Sequence, residues 1–161
     1  MLRSLSGAVR FRSMATRLLA LAFVAATVGG CTASAASTLA GLTPTTISID
    51  DNELTVAVAD TPQARGRGLM GITDLGEFDG MLFVFDTDVE TGFWMKDTLI
   101  PLDIAFFDGD GLAVDRLRME PCTADPCPTY NAAGPYRFAV EALAGDLSFV
   151  GEGSVLVLLD E

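Results

Sequence analysis

The sequence predicts a β-rich α+β domain, built as a small antiparallel sandwich or a partly closed barrel with one or two short helices. Apolar or alternating segments of strand length recur along the chain, and turns rich in glycine, aspartate and proline separate them at close spacing. Many short strands and only one or two brief helices indicate this class rather than alternating βαβ units. A chain of 161 residues is long enough for one domain with its own core.

The individual elements follow from local patterns. Leu54 to Ala59 alternates between apolar and small or polar residues and predicts a strand, after a turn at 50–53. Thr61 and Pro62 form an N-cap followed by a proline at the first helical position, which predicts a short helix ending near Gly66 or Gly68. The other predicted strands are 47–50, 81–85, 92–95, 102–107, 112–119, 136–143 and 155–159, with an acidic turn at 86–90, a hairpin turn at 108–111 and a long loop at 121–135.

The first 30 residues have the layout of a secretory signal peptide. Arginines precede the apolar run 18–28, small residues follow it, and the run is too short to span a bilayer as a mature helix. Val28-Gly29-Gly30-Cys31 resembles a bacterial lipobox, in which the cysteine is acylated. We therefore expect a lipoprotein signal peptide at 1–30, a lipidated Cys31 with a flexible tether through 46, and a domain at 47–161.

This organisation predicts an exported protein that is attached by its lipid to the outer face of a membrane. Two alternatives remain open at this stage. An ordinary signal peptide could be cleaved near Ala33 to Ala36, which would release a secreted protein without Cys31. Translation could also start at Met14, whose following residues supply a short basic segment of their own.

Charge and composition exclude several functions. The chain has 22 acidic and 10 basic residues, a net charge of −12, and four of the basic residues lie at or before Arg17. The exported part is therefore more acidic still, and it should repel nucleic acid. Because the chain has no histidine, it can form neither a histidine-based catalytic triad nor a histidine-ligated zinc site. We expect no nucleic-acid partner and no cofactor.

The sulfur-containing residues allow two predictions. Cys122 and Cys127 flank a proline-containing loop, and in an exported protein they should form a disulfide; a metal site would be short of ligands. Met70, Met81 and Met95 could form a soft copper(I) site, because thioethers bind that ion. The commoner role of such methionines is to fill gaps in a core.

The segment 93–107 concentrates the residues with chemical potential. It contains the only tryptophan and the only lysine of the chain, Trp94 and Lys96, which would share one face of a strand, and Asp103 follows on the next strand. Arg65 from the helix and Glu141, which interrupts an apolar strand, could join them.

We interpret Arg65, Trp94, Lys96, Asp103 and Glu141 as a site for a small polar or anionic ligand or a partner protein. Two alternatives remain: a structural charge network, and an enzyme that uses Asp103 or Glu141 as a general acid or base. No candidate nucleophile is evident, so binding ranks above catalysis.

Four separated motifs occur in order along the chain. They are Arg65-x-x-Gly68-Leu69-Met70, Gly80-Met81-Leu82-Phe83-Val84-Phe85, Phe93-Trp94-Met95-Lys96-Asp97-Thr98-x-Ile100-Pro101-Leu102-Asp103-Ile104-x-Phe106 and Tyr136-x-x-x-Val140-Glu141-x-x-x-Gly145. Together they resemble the DUF192 domain family, also called UPF0127 or COG1430, from about Ile47 to Leu159.

This resemblance implies a small β-rich α+β domain and no established activity. It directs attention to the residues of the motifs as the place where function lies: Arg65, Gly68, Met70, Gly80, Met81, Trp94, Met95, Lys96, Pro101, Asp103 and Glu141. The chain departs from the family pattern after Met70, where family members often have an aromatic residue and an arginine. This chain has Gly71-Ile72-Thr73 there.

Overall fold

The computed structural model describes residue 39 and residues 41–159, and this part of the chain is mostly β-strand with one short helix. Its elements, in chain order, are β1 (Pro44–Ile49), β2 (Asn52–Ala59), α1 (Pro62–Arg67), β3 (Gly80–Val89), β4 (Phe93–Trp94), β5 (Leu102–Phe107), β6 (Ala113–Met119), β7 (Thr129–Tyr130), β8 (Tyr136–Leu143) and β9 (Leu156–Leu159). The β-rich class predicted from the sequence is confirmed.

Seven strands form one curled sheet in the order β6-β5-β8-β3-β2-β1-β9. Only β2 and β3 are parallel neighbours in this sheet, and α1 lies in the connection between them. An isolated bridge between Leu112 and Val155 joins the segments that lead into the two edge strands. The sheet is therefore a partly closed barrel, one of the two predicted forms.

Alternation along the strands gives the sheet two apolar faces. The first face carries Met81, Phe83 and Ile104, together with residues of the segment that follows α1. The second face carries Leu82 and Ala105 and is covered by the turns that follow β8. Because both faces are covered, all six residues of β5 are buried.

A second sheet of two strands, β4 and β7, positions the segment that contains Trp94. Beyond β4, Lys96 and Thr98 each bridge to Cys122, and the Asp97 N–H donates to the Cys122 carbonyl at 2.9 Å. The sulfur atoms of Cys122 and Cys127 lie at bonding distance, 2.03 Å, as the sequence predicts. The disulfide loop thus supports the segment that follows Trp94.

Two local predictions are wrong. The acidic residues 86–88 continue β3 as far as Val89 instead of forming a turn, because a strand that projects past the core can keep exposed carboxylates in water. The loop at 121–135 also contains β7.

The predicted tether is too long. Residues 44–46 belong to β1 and pair with β2, and Leu39 is buried in the core of the first face. An apolar side chain that is 1% exposed is held by the core, so Leu39 and residues 44–46 belong to the domain. The predicted signal peptide at 1–30 and the predicted lipidation site Cys31 lie outside the described residues. Within the described residues, no helix has the length and hydropathy needed to cross a bilayer.

Candidate functional site

A cleft opens on the first face of the sheet, between the end of α1 and the segment 93–98. It has two adjoining parts that share five lining residues. The polar chamber, of about 30 Å³, is lined by Arg65, Gly66, Arg67, Gly68, Leu69, Met70, Phe83, Phe93, Trp94, Thr98 and Glu141. The aromatic chamber, of about 220 Å³, is lined by Arg65, Gly66, Phe83, Phe85, Thr91, Gly92, Phe93 and Trp94.

Two glycines permit the close approaches that shape the cleft. Gly68, which ends α1, has φ of +48°, and a Cβ there would lie 3.4 Å from the Phe83 ring. Gly80 begins β3 beside β8, and a Cβ at this position would collide with the carbonyl oxygen of Glu141. A larger residue at Gly80 would displace the Glu141 backbone, whereas at Gly68 the positive φ disfavours other residues.

Arg65 lies on α1, where the Thr61 cap and Pro62 start the helix as predicted. Its guanidinium donates to the backbone carbonyls of Asp60 at 2.6 Å and Val84 at 2.8 Å. The guanidinium carbon lies 4.8 Å from the centroid of the Phe85 ring, in a cation–π contact. In the described part of the chain Arg65 forms no ion pair, and the residue lines both chambers.

Glu141 is the buried carboxyl of the polar chamber. It pairs in register with Met81 of β3 and Ile104 of β5, both apolar, and its side chain is 4% exposed. Among residues 41–159 it has neither an ion pair nor a side-chain hydrogen bond. Burial without a partner disfavours the charged form and raises the pKa of Glu141 to about 8. At neutral pH the carboxyl is therefore mostly protonated and can both donate and accept a hydrogen bond.

Thr98 is the second buried polar residue of the polar chamber. It is 4% exposed, and its hydroxyl has no hydrogen-bond partner among the described residues. Two unpartnered polar groups thus line a chamber with room for about two water molecules. A buried polar group without a partner is unfavourable, which indicates that water or a ligand completes these hydrogen bonds.

Aromatic rings form the walls. The Phe93 ring packs edge-on against Phe83, with centroids 5.0 Å apart, and against Phe106, 5.7 Å apart. The Tyr136 hydroxyl donates to the Thr91 carbonyl, and burial raises the pKa of Tyr136. Trp94, by contrast, is 54% exposed at the rim. The packed rings keep the cleft in shape, and Trp94 leaves a free aromatic surface.

Lys96 takes no part in lining either chamber. Its ammonium lies 2.6 Å from a carboxylate oxygen of Asp125, in the disulfide loop. The hydrogen bond to Asp125 raises the pKa of Lys96. The two-residue length of β4 explains the difference from the prediction, because the strand alternation that would have aligned Lys96 with Trp94 ends before Lys96.

Asp103 lies on the opposite face of the sheet, because it alternates with Ile104 of the first face. It is 2% exposed and accepts the Gly145 N–H at 2.9 Å. Arg116 and Arg118 each place a guanidinium nitrogen 3.9 Å from its carboxylate oxygens. Asp103 thus belongs to a structural network of β5, β6 and the turn after β8.

The structure brings together Arg65, Trp94 and Glu141 and separates them from Lys96 and Asp103. Sequence reasoning did not select Arg67 and Thr98 for the site. Thr98 lies inside the motif that contains Trp94, so the motif was a usable signal, whereas Arg67 has no distinctive pattern. The sequence predicts that Glu141 pairs with Arg65 or Lys96. Neither pair occurs among the ion pairs of the described residues.

The methionines are divided between core and cleft. Met81 and Met95 are buried in the core of the first face, 1% and 0% exposed, while Met70 lines the polar chamber. Their burial matches the core role that the sequence left open. Residues 41–159 contain no group of three or more cysteine, aspartate or glutamate side chains placed to hold a metal ion.

Comparisons with known proteins place most of the described part of the chain in one family. The family model DUF192, described as "Uncharacterized ACR, COG1430", matches residues 45–155. No curated protein matches the chain.

Two solved structures share the fold. A crystal structure described as a "putative transcription regulator" from Sinorhizobium meliloti 1021 has 26% sequence identity and a TM-score of 0.66, covering 73% of this chain and 95% of that one. A protein of unknown function from Novosphingobium aromaticivorans DSM 12444 has 26% identity and a TM-score of 0.62, covering 72% of this chain and 84% of that one.

Proposed function

The chain belongs to the DUF192 family, and we propose that its domain binds a small polar or anionic ligand in the cleft on the first face. The observation that carries this proposal is Glu141, a carboxyl that is 4% exposed and unpartnered among the described residues. Such a group is costly to retain, and perturbed carboxyls in clefts are typical of functional sites. Arg65 lines the same chamber, and two backbone carbonyls hold its positively charged guanidinium in place.

Regulation of transcription through DNA contact is disfavoured, although a structurally similar protein carries that description. A net charge of −12 opposes binding to the phosphate backbone. The two arginines of the cleft line a small chamber rather than an extended basic surface. A compact anion fits this arrangement better than a polyanion.

We further propose that the domain is exported and attached to a membrane by a lipid on Cys31. The support comes from the signal-peptide layout of residues 1–30 and from the bonded pair Cys122 and Cys127, since disulfides persist in oxidising compartments. Metabolic labelling with radioactive palmitate should mark the wild-type chain and should leave Cys31→Ala unlabelled. Equal labelling of the two chains, or none in the wild type, would reject the anchor.

Ligand binding is tested by a fragment screen followed by ¹H–¹⁵N NMR of the purified protein. The single indole N–H signal belongs to Trp94, because the chain has one tryptophan. A true ligand should shift this signal and the Gly68 amide while leaving Gly109, in the distant hairpin turn, unchanged.

Matched variants of the two buried carboxylates then test the location. Glu141→Leu should keep the fold, because an apolar side chain suits the surroundings of Glu141, and should abolish the shifts. Asp103→Asn, on the opposite face, should retain them. If no fragment shifts the Trp94 and Gly68 signals, or if Glu141→Leu leaves the shifts intact, the cleft is not the binding site.

A second candidate function is catalysis with Glu141 as the general acid. It is favoured by the raised pKa of about 8, which keeps a transferable proton on the carboxyl at neutral pH. Asp103 is not a candidate for the same reaction, because it faces the other side of the sheet. Conversion of a bound fragment that is lost in Glu141→Gln, with binding retained, would distinguish an enzyme from a binding protein.

A further inference from the structure

This inference rests on the ligand-binding function proposed above and specifies the ligand class. We propose that the cleft takes a small aromatic monocarboxylate. The carboxylate enters the polar chamber beside Arg65, Arg67 and Glu141, and the ring lies in the aromatic chamber against Trp94.

The charges that line the cleft select an anion. In the described part of the chain, Arg65, Arg67 and Glu141 are the only charged side chains that line either chamber. Arg67 is exposed and has neither an ion pair nor a side-chain hydrogen bond among these residues, so its charge is available. With Glu141 protonated, the lining carries two positive charges within an acidic protein. A cationic ligand would meet those charges with little to offset them.

The two chambers differ in size and chemistry in a way that fits this ligand. The polar chamber, at about 30 Å³, has room for one carboxylate group in place of about two water molecules. The aromatic chamber, at about 220 Å³, is smaller than a typical drug-sized site and suits a single ring. Arg65 lines both chambers, so this one residue borders both the carboxylate and the ring of such a ligand.

The hydrogen-bonding groups of the polar chamber match a carboxylate. A protonated Glu141 and the Thr98 hydroxyl can each donate to a ligand oxygen, while an arginine neutralises the charge. A neutral amide in the same position would accept the same hydrogen bonds, but it would lack the attraction between a negative charge and the arginines. The exposed face of Trp94 supplies stacking that a purely aliphatic carboxylate would not use fully.

The arrangement also links binding to pH. The charged residues that line the polar chamber together with Glu141 are Arg65 and Arg67 at the end of α1. Thr98, which also lines it, is neutral, and the neighbours of Glu141 in register on β3 and β5 are apolar. A second negative charge beside a bound carboxylate is strongly unfavourable, so binding requires the protonated form. Since the pKa of Glu141 is about 8, affinity should be constant below that value and fall about tenfold per pH unit above it.

The test is isothermal titration calorimetry of the full chain, purified in detergent, with three probes that share one ring. These are benzoate, benzamide and benzamidinium, which differ in charge at nearly constant shape. At pH 7 benzoate should bind at least about tenfold more tightly than benzamide, because it alone forms charge-assisted bonds with the arginines. Benzamidinium should show no binding. Tighter binding of benzamide or benzamidinium, or no binding of benzoate, overturns the proposed class.

Variants provide a second, independent test. Arg67→Met, which disturbs no described contact, should weaken benzoate binding about tenfold, whereas Arg137→Met on β8, outside both chambers, should not change it. Glu141→Gln keeps a donor and should bind benzoate equally at pH 7 and pH 9, unlike the wild type. Equal losses in Arg67→Met and Arg137→Met, or an unchanged pH profile in Glu141→Gln, overturn the proposal.

The outcome separates this inference from the broader function. If benzoate does not bind while another fragment shifts the Trp94 and Gly68 signals, the cleft binds a ligand of a different class. If no compound shifts those signals, both proposals fall.

Discussion

Asp103 and Glu141 are two buried carboxylates on neighbouring strands of one sheet, and their surroundings are opposite. Asp103, 2% exposed on the second face, accepts a backbone N–H and lies near two guanidinium groups. Glu141, 4% exposed on the first face, has only apolar neighbours in register and no partner among residues 41–159. The described residues thus provide partners for Asp103 and none for Glu141.

The difference shows why burial alone does not identify a functional carboxylate. Removing a carboxylate from water is costly, and the structure offsets that cost for Asp103 with hydrogen bonding and positive charge. Glu141 avoids this cost by staying protonated and neutral, and its pKa is raised for that reason. The informative feature is therefore the missing partner next to an open chamber.

The largest expected effect that separates the two carboxylates is a pH dependence of stability due to Glu141. Its folded pKa of about 8 lies above the ordinary glutamate value of 4.5. Below pH 4.5 both states are protonated; between 4.5 and 8 only the unfolded state loses the proton, so stability falls as pH rises. The slope is about 1.4 kcal/mol per pH unit, which totals on the order of 4 to 5 kcal/mol.

Urea unfolding of wild type and Glu141→Gln from pH 4 to pH 9 measures this effect as a difference. The variant should gain stability over the wild type progressively between pH 4.5 and 8, and the gain should level off above pH 8. Glu77→Gln, the same substitution at an exposed position, corrects for the loss of one negative charge from an acidic protein. A difference that does not vary with pH would mean that Glu141 has a partner after all.

An intermediate effect is expected from the satisfied carboxylate. Asp103→Ala should lower the free energy of unfolding by about 2 kcal/mol, because it removes the acceptor of the Gly145 N–H and the charge near two arginines. The arginines are partly exposed and can regain water, which limits the loss. Asp88→Ala, which breaks an exposed pair with Arg137, should cost less than about 1 kcal/mol. Equal losses in urea unfolding would contradict a structural role for Asp103.

Much of the fold could be predicted from the sequence because its signals are local. β5 and β8 match the predicted segments 102–107 and 136–143, since each is an apolar run bounded by turn residues. The start of α1 followed from Thr61 and Pro62. The extension of β3 to Val89 could not be predicted, because the polar residues 86–88 resemble a turn. Their strand conformation depends on the pairing of β3 with β8, which the local sequence does not show.

The site was predictable only in part, because the face on which a residue lies depends on strand length and register. Trp94, Arg65 and Glu141 are far apart in the sequence and line one chamber in the structure. The sequence motifs marked all three residues but could not show that they lie together. Asp103 was assigned to the same site although alternation with Ile104 separates it from the first face. Lys96 was assigned to the site on the assumption that strand alternation continues from Trp94, but β4 ends at Trp94.

The smallest expected effect is therefore that of Lys96, the residue with the strongest sequence signal. Its ammonium already has a carboxylate partner in Asp125 and lines neither chamber. Lys96→Met should change benzoate affinity by less than about twofold in calorimetry, because an exposed ion pair contributes little and its loss leaves the cleft intact. Arg67→Met, which also replaces a cation by methionine but inside the polar chamber, is the matched comparison. A loss of about tenfold in Lys96→Met would show that the disulfide loop moves and that Lys96 reaches the bound ligand.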